Sequence, residues 1–116
     1  MMMELTQAAQ DVLAERERQI EGEGWTSKRD DLYTNGSLAK AAATYAIGAT
    51  LSDAERATMD EFGLRGTPYR ITVLWPWDWK WWKPKNRRRD LVKAGALILA
   101  EIERLDRARV EAAVND

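Results

Sequence analysis

Asp90–Ala113 reads DLVKAGALILAEIERLDRARVEAA, in which Leu91, Gly95, Ile98, Ile102, Leu105 and Arg109 recur every three to four residues. That is the period of one face of an α-helix, so the stretch predicts an amphipathic helix from Asp90 to near Ala113. No other segment carries so strong a structural signal.

Immediately before it lies WPWDWKWWKPKNRRR, residues 75–89, where five of the eight residues from Trp75 to Trp82 are tryptophan and six basic residues precede Asp90. Each indole combines a large apolar surface with one N–H that needs a partner, so the run is either an anchored corner or a ligand platform. Pro76 and Pro84 stiffen it. Arg87–Arg89 open the helix with positive charge, which the helix dipole disfavours by about 0.3–1 kcal/mol. A cost at that place points to another use for the charge. The whole segment 63–88 reads as a loop or a short extended piece, which its β-branched Ile71, Thr72 and Val73 fit.

Toward the N-terminus, Leu5, Ala8, Ala9, Val12, Leu13 and Ile20 predict a helix from Leu5 to Ile20, with Arg16 interrupting the stripe and Gly22 and Gly24 stopping it. Residues 22–37 read as a long ordered loop whose Asn35-Gly36-Ser37 supplies a turn and a helix N-cap. Leu38–Ala49 is an alanine-rich helix with Tyr45 as its one large side chain, a composition that suits close approach of another helix, including one from a second subunit. Ser52 and Glu55 form a capping box ahead of a short helix that runs to Phe62 and ends at Gly63. The expected fold is all-α: a small bundle of two long and two shorter helices with long ordered loops. It is expected to be oligomeric, because the helices carry more apolar surface than one thin bundle buries.

With 116 residues the chain fits a single domain, 1–116. It has no cysteine and no histidine, which removes disulfides, thiolate nucleophiles, Ser–His catalysis and ordinary zinc chemistry. MMMELTQ at the start lacks a basic region followed by an apolar run, and Ala94–Ala100 is too short to span a bilayer, so a cytoplasmic protein without membrane association is expected. A formal net charge of −1 leaves no global field to recruit extended nucleic acid.

The segments ERERQIEGEGWT, DD, LAKAAATYA, WPWDWKWWKP and RRRDLVKAGALILAEIERLDR together resemble a family of small uncharacterised proteins found in bacteriophages and prophages. The resemblance covers most of the chain apart from residues 51–74. It implies action in the cytoplasm of an infected or lysogenic bacterial host, and it implies no chemistry.

Three functions fit the residues. In the first, Trp75, Trp77 and Trp82 stack on a base, Lys83, Lys85, Arg88 and Arg89 take phosphates, and the free N–H groups of the last helix help. Arg18, Gln19 and Trp25 then complete the pocket, with Asp30 and Asp31 accepting from base or ribose. Such a protein binds a nucleotide-like anion without turnover, for instance sequestering an immune signal of the host. No catalytic residue, metal ligand or cofactor belongs to that reading. In the second, the chain is similar to the MazG family of Mg²⁺-dependent nucleotide pyrophosphohydrolases. Glu103 and Asp106 supply one ExxD and Glu17 and Glu21 an i, i+4 pair with Asp30 and Asp31 to join it, but no ExxE occurs and the alanine-rich helix offers no acid. In the third, the Trp and Arg residues grip a host enzyme as a protein-interaction module. The first reading is preferred.

Overall fold

The computed structural model describes residues 4–115 and contains no strand among them. Its elements are α1 (Gln7–Glu23), α2 (Ser27–Asp30), α3 (Ser37–Ala49), α4 (Asp53–Phe62), a 3-10 turn (Gly63–Gly66), α5 (Tyr69–Thr72), a second 3-10 turn (Trp79–Trp81) and α6 (Arg87–Asn115). The all-α class therefore holds, with α1 and α6 as the long helices. Met1–Met3 of the N-terminal reading lie outside the described residues. No described helix is long and apolar enough to cross a membrane.

The helix ends show which local signals acted. Thr6, not Leu5, opens α1, and its hydroxyl accepts from the Ala9 N–H at 3.2 Å. Gly22 does not stop the helix; α1 runs through it to Glu23, and Gly24 ends it at φ 72°, where the absent Cβ matters. Gly36, at φ 83°, and not Ser37, is the N-cap of α3, so the helix start carries no side-chain cap; the Asn35 side chain accepts from the Ser37 N–H at 3.2 Å. The capping box of Ser52 and Glu55 is present in both directions. Ile71–Val73 is not extended. Pro68 O accepts from the N–H groups of Ile71 and Thr72, which winds one helical turn and buries Ile71 against Leu51 and Met59. Burial of one isoleucine outweighs the β preference of three residues.

Helices α1, α2 and α3 each pack on α6. The alanines of α3 meet their close neighbour within the same chain: Ala41 and Ala42 lie in one core cluster with Ala94, Leu97 and Ala100 of α6, Leu38, Tyr45, Trp25 and Trp75. On the other side α1 crosses α6 at Gly95, where a Cβ would stand 3.1 Å from the Val12 side chain. A second cluster of Leu51, Met59 and Ile71 joins α4 and α5. Trp82 packs against both clusters and is the bridge between them.

Buried and half-buried ion pairs fasten these pieces. Arg56 of α4 donates to Gly48 O at 2.9 Å, to Lys85 O at 3.2 Å and to Asp90 Oδ2 at 2.9 Å, while Asp90 Oδ1 accepts from the Lys85 N–H at 2.8 Å. Arg16 of α1 holds Asp30 of α2 at 2.9 Å and Glu103 of α6 at 3.1 Å. Burial pushes the Asp30 carboxyl above its usual range, more than the Arg16 charge pulls it down.

Candidate functional site

The tryptophan run folds back on itself as a corner. Trp75 is buried at its centre, in edge contact with Tyr45, Trp77 and Trp82 at centroid distances of 5.7, 5.6 and 5.1 Å, and its N–H donates to Asp78 O at 3.2 Å. Trp77 reaches Trp25 and Tyr33. Trp82 lies against Tyr45 at 4.7 Å and beside Gly48, where a Cβ would stand at 3.6 Å, an ordinary contact. The Tyr45 hydroxyl pins the segment by donating to Trp81 O and accepting from the Lys83 N–H. Burial raises that phenol to about 12. Aromatic packing of this density is a structural element before it is a surface.

Trp77, Trp79, Trp81 and Trp82 are all partly buried, and Trp81 differs in the charges around it: the cations of Arg29, Lys80 and Lys83 stand 5.5–5.9 Å from its ring. Sequence reasoning passed over it in favour of its neighbours. Beside it is a narrow crevice with about 20 Å³ of room, lined in part by Glu15, Gln19, Trp25, Tyr45 and Lys93. That space suits about one water molecule. Gln19 Oε1 and the Trp25 N–H are buried there without a protein partner. The Lys93 amine, whose pKa burial lowers, donates to Lys83 O.

Adjacent to the crevice, and sharing Glu15 and Arg18 with it, is a larger open recess between α1 and the first turn of α6. It encloses about 450 Å³ and is lined by Asp11, Ala14, Glu15, Arg18, Asn86, Arg88, Arg89 and Val92. The size falls in the range of small-molecule sites, about 300–1,000 Å³. Three guanidinium groups face two carboxylates in it. Glu15, buried in mid-helix, is held by Arg18 at 2.7 Å, by Arg89 and by the Gln19 amide at 3.1 Å. Burial pushes its carboxyl up, but the Arg18 bonds and the charges of Arg18 and Arg89 outweigh burial, and it sits below the usual range. Arg88 pairs with Asp11 at 2.8 Å, on a side chain that is 62 % exposed. The Asn86 side chain accepts from the Arg89 N–H and its carbonyl from the Asp90 N–H. The N–H groups of Arg87 and Arg88 remain at the open end, as at any helix start.

The expected site residues therefore divide. Arg18, Arg88 and Arg89 line the recess, and Arg18 also lines the crevice with Gln19, Trp25 and Lys83. Trp75, Trp77 and Trp82 belong to the packed corner, and Trp82 with Lys83 also edges a groove beside Met59, Gly63 and Pro84. Lys85 gives its backbone to the Arg56–Asp90 lock, its N–H going to Asp90 and its carbonyl accepting from Arg56. Asp30 and Asp31 stand apart from the recess, paired with Arg16 and with Arg107 at 2.8 Å. Glu15, Trp81 and Lys93 were missed. A glutamate flanked at helical spacing by Val12 and Gln19, on the face that turns inward, was the available signal for the first.

Among the described residues no three His, Cys, Asp or Glu side chains gather as a metal site. Comparison of the chain with protein-family models, with curated proteins and with solved structures gave no match.

Proposed function

We propose that this protein binds a small anionic, nucleotide-like ligand in the recess between α1 and α6, without turning it over. One observation carries the reading: Arg18, Arg88 and Arg89 together line a space of about 450 Å³ beside the start of α6. Two carboxylates hold these cations in place in the free protein. A phosphate displaces Asp11 from the exposed Arg88 and meets that guanidinium as a fork, while Glu15 stays bonded and keeps Arg18 and Arg89 aimed. Any stacking falls to Trp81 rather than to the packed indoles.

The resemblance to bacteriophage and prophage proteins supports the cytoplasm of an infected or lysogenic host as the setting, where capture of a host immune nucleotide is a use that needs no catalysis. The protein acts as a homo-oligomer in this reading. The pyrophosphohydrolase alternative gains nothing from the geometry, since Glu103 and Asp30 are tied to Arg16 and Asp31 to Arg107.

Calorimetry against mono-, di- and cyclic nucleotides, with and without Mg²⁺, tests the proposal. Binding that Arg88→Ala weakens about 10- to 100-fold is expected, the loss of a charge-assisted bond of about 1.5–3 kcal/mol. Silence across the panel sinks the reading, and Mg²⁺-dependent release of pyrophosphate replaces it with the enzyme.

A further inference from the structure

We propose that the crevice beside Trp81 receives a hydroxyl of the ligand's sugar, so that the protein takes ribonucleotides in preference to their deoxy counterparts. The inference rests on the ligand reading above and says which nucleotides satisfy it.

Hydrogen-bond pairing carries it. Polar groups buried in a folded chain are nearly all paired, so those left over ask for a partner. Most polar groups that line the crevice have theirs within the protein. Glu15 accepts from Arg18, Arg89 and the Gln19 amide, and Arg18 also reaches Glu23. The Tyr45 hydroxyl serves Trp81 O and the Lys83 N–H, and the Lys93 amine donates to Lys83 O. Two buried groups remain, Gln19 Oε1 and the Trp25 indole N–H, on side chains whose residues are 2 % and 8 % exposed. The first is fixed as an acceptor, because the amide N–H of Gln19 faces the Glu15 carboxylate at 3.1 Å and a carboxylate has no proton to offer the oxygen. The second can only donate. Trp77 and Trp82 also hold unpartnered N–H groups, but Trp25 shares its space with an unpartnered acceptor.

The room of about 20 Å³ admits one small group, and one oxygen that accepts on one side and donates on the other satisfies both walls. Water does that, and so does a sugar hydroxyl. An ether or a carbonyl cannot donate, an ammonium cannot accept, and a phosphate is too large.

Position selects the hydroxyl. Crevice and recess share Glu15 and Arg18 as a common wall. On α1 the recess spans residues 11–18 and the crevice 15–23; on α6 the recess takes residues 88–92 and the crevice 93–97. At a rise of about 1.5 Å per residue, both helices set the two centres about 7 Å apart. That is the reach from a 5′-phosphate to the hydroxyls on the far side of its own ribose. A phosphate on Arg88 therefore brings a hydroxyl to Gln19 and Trp25, and leaves the base toward Trp81, which lines the same crevice. Asp30 and Asp31, the acceptors expected for ribose, face Arg16 and Arg107 instead.

Calorimetry compares adenosine, guanosine, cytidine and uridine 5′-monophosphates with their 2′-deoxy and 3′-deoxy analogues. For the nucleotides that bind, one of the two analogues is expected to bind about 10-fold more weakly than its parent, because its loss leaves buried groups unpaired. In the wild type, the indole N–H resonance of Trp25 is expected to shift with the parent nucleotide and to stay in place with the weakened analogue. Trp25→Phe, with the helical circular dichroism of the wild type, removes the donor and is expected to cut the ratio of parent to analogue severalfold. Parents and both analogues that bind alike overturn the inference and leave the anion reading standing. An unmoved Trp25 resonance, or a ratio that Trp25→Phe does not change, places the preference elsewhere and overturns it too. Monophosphates that do not bind at all also overturn it, and the wider nucleotide panel then judges the anion reading by itself.

Discussion

Replacing Arg56 by methionine removes the cation that joins α4, the end of α3, the tryptophan corner and the start of α6. Methionine keeps much of the stem, so the change isolates the guanidinium. Gly48 O and Lys85 O each lose a bond, and the Asp90 carboxylate, 0 % exposed, is left buried without its partner. Breaking one side of a buried pair costs about 3–5 kcal/mol. A domain of this size holds about 5–15 kcal/mol in all, so the variant loses a large share of its stability. Each kcal/mol moves the melting temperature by roughly 3–6 °C at this chain length, which gives a drop of roughly 10–30 °C. Thermal melting followed by far-ultraviolet circular dichroism measures it, and the near-ultraviolet signal of the tryptophans should be lost in the same transition. Asp90→Asn in the Arg56→Met background tests the cause, because it removes the stranded charge while Asn can still accept from the Lys85 N–H. The double variant should then be more stable than the sum of the two single losses by about 0.5–3 kcal/mol. A drop below roughly 3 °C, or strict additivity, refutes the reasoning.

Further expectations concern the glycines and acid stability. Gly48→Ala should stabilise by about 0.5–1 kcal/mol, since its Cβ meets Trp82 at an ordinary 3.6 Å and alanine favours the helix; a lower melting temperature contradicts this. Gly66→Ala should destabilise by about 1–3 kcal/mol, because its Cβ falls 2.2 Å from the backbone oxygen of Thr58, and an unchanged denaturant midpoint would count against it. Glu15 is lowered in the folded state, so the stability it contributes is present above the unfolded value of 4.5 and is lost as pH falls through the lower folded value. The melting difference between wild type and Glu15→Gln should accordingly shrink below that pH, and a difference constant from about pH 7 to about pH 3 would show that the titration of Glu15 contributes nothing.

What could be read in the sequence was local. The period of Leu91 to Arg109 announced α6, and Ser52 with Glu55 marked the start of α4, because both depend on residues within one or two turns. What could not be read depends on partners far along the chain. Asp30 and Asp31 look like free acceptors until Arg16 and Arg107 arrive from α1 and α6. The positive charges of Arg87–Arg89 look uncompensated until Asp53, Asp11 and Glu15 meet them. Gly22 and Ile71–Val73 misled for a different reason, as weak local preferences gave way to helix continuation and to burial. The recess itself was half legible: its arginines stand in the sequence as basic residues, but nothing there says that Arg18 and Arg88 share one space.

That α1, α2 and α3 all pack on α6 bears on how the chain is made. The ribosome delivers α6 after α1, α2 and α3, so until residue 87 and the turns after it emerge, the alanine face of α3 and the indoles of the corner have nothing to close on. Folding then waits on contacts between distant parts of the chain, which are slow to form compared with local ones. The tryptophans of the corner, residues 75–82, leave the exit ahead of the helix that covers them, and apolar surface exposed in such an interval favours aggregation.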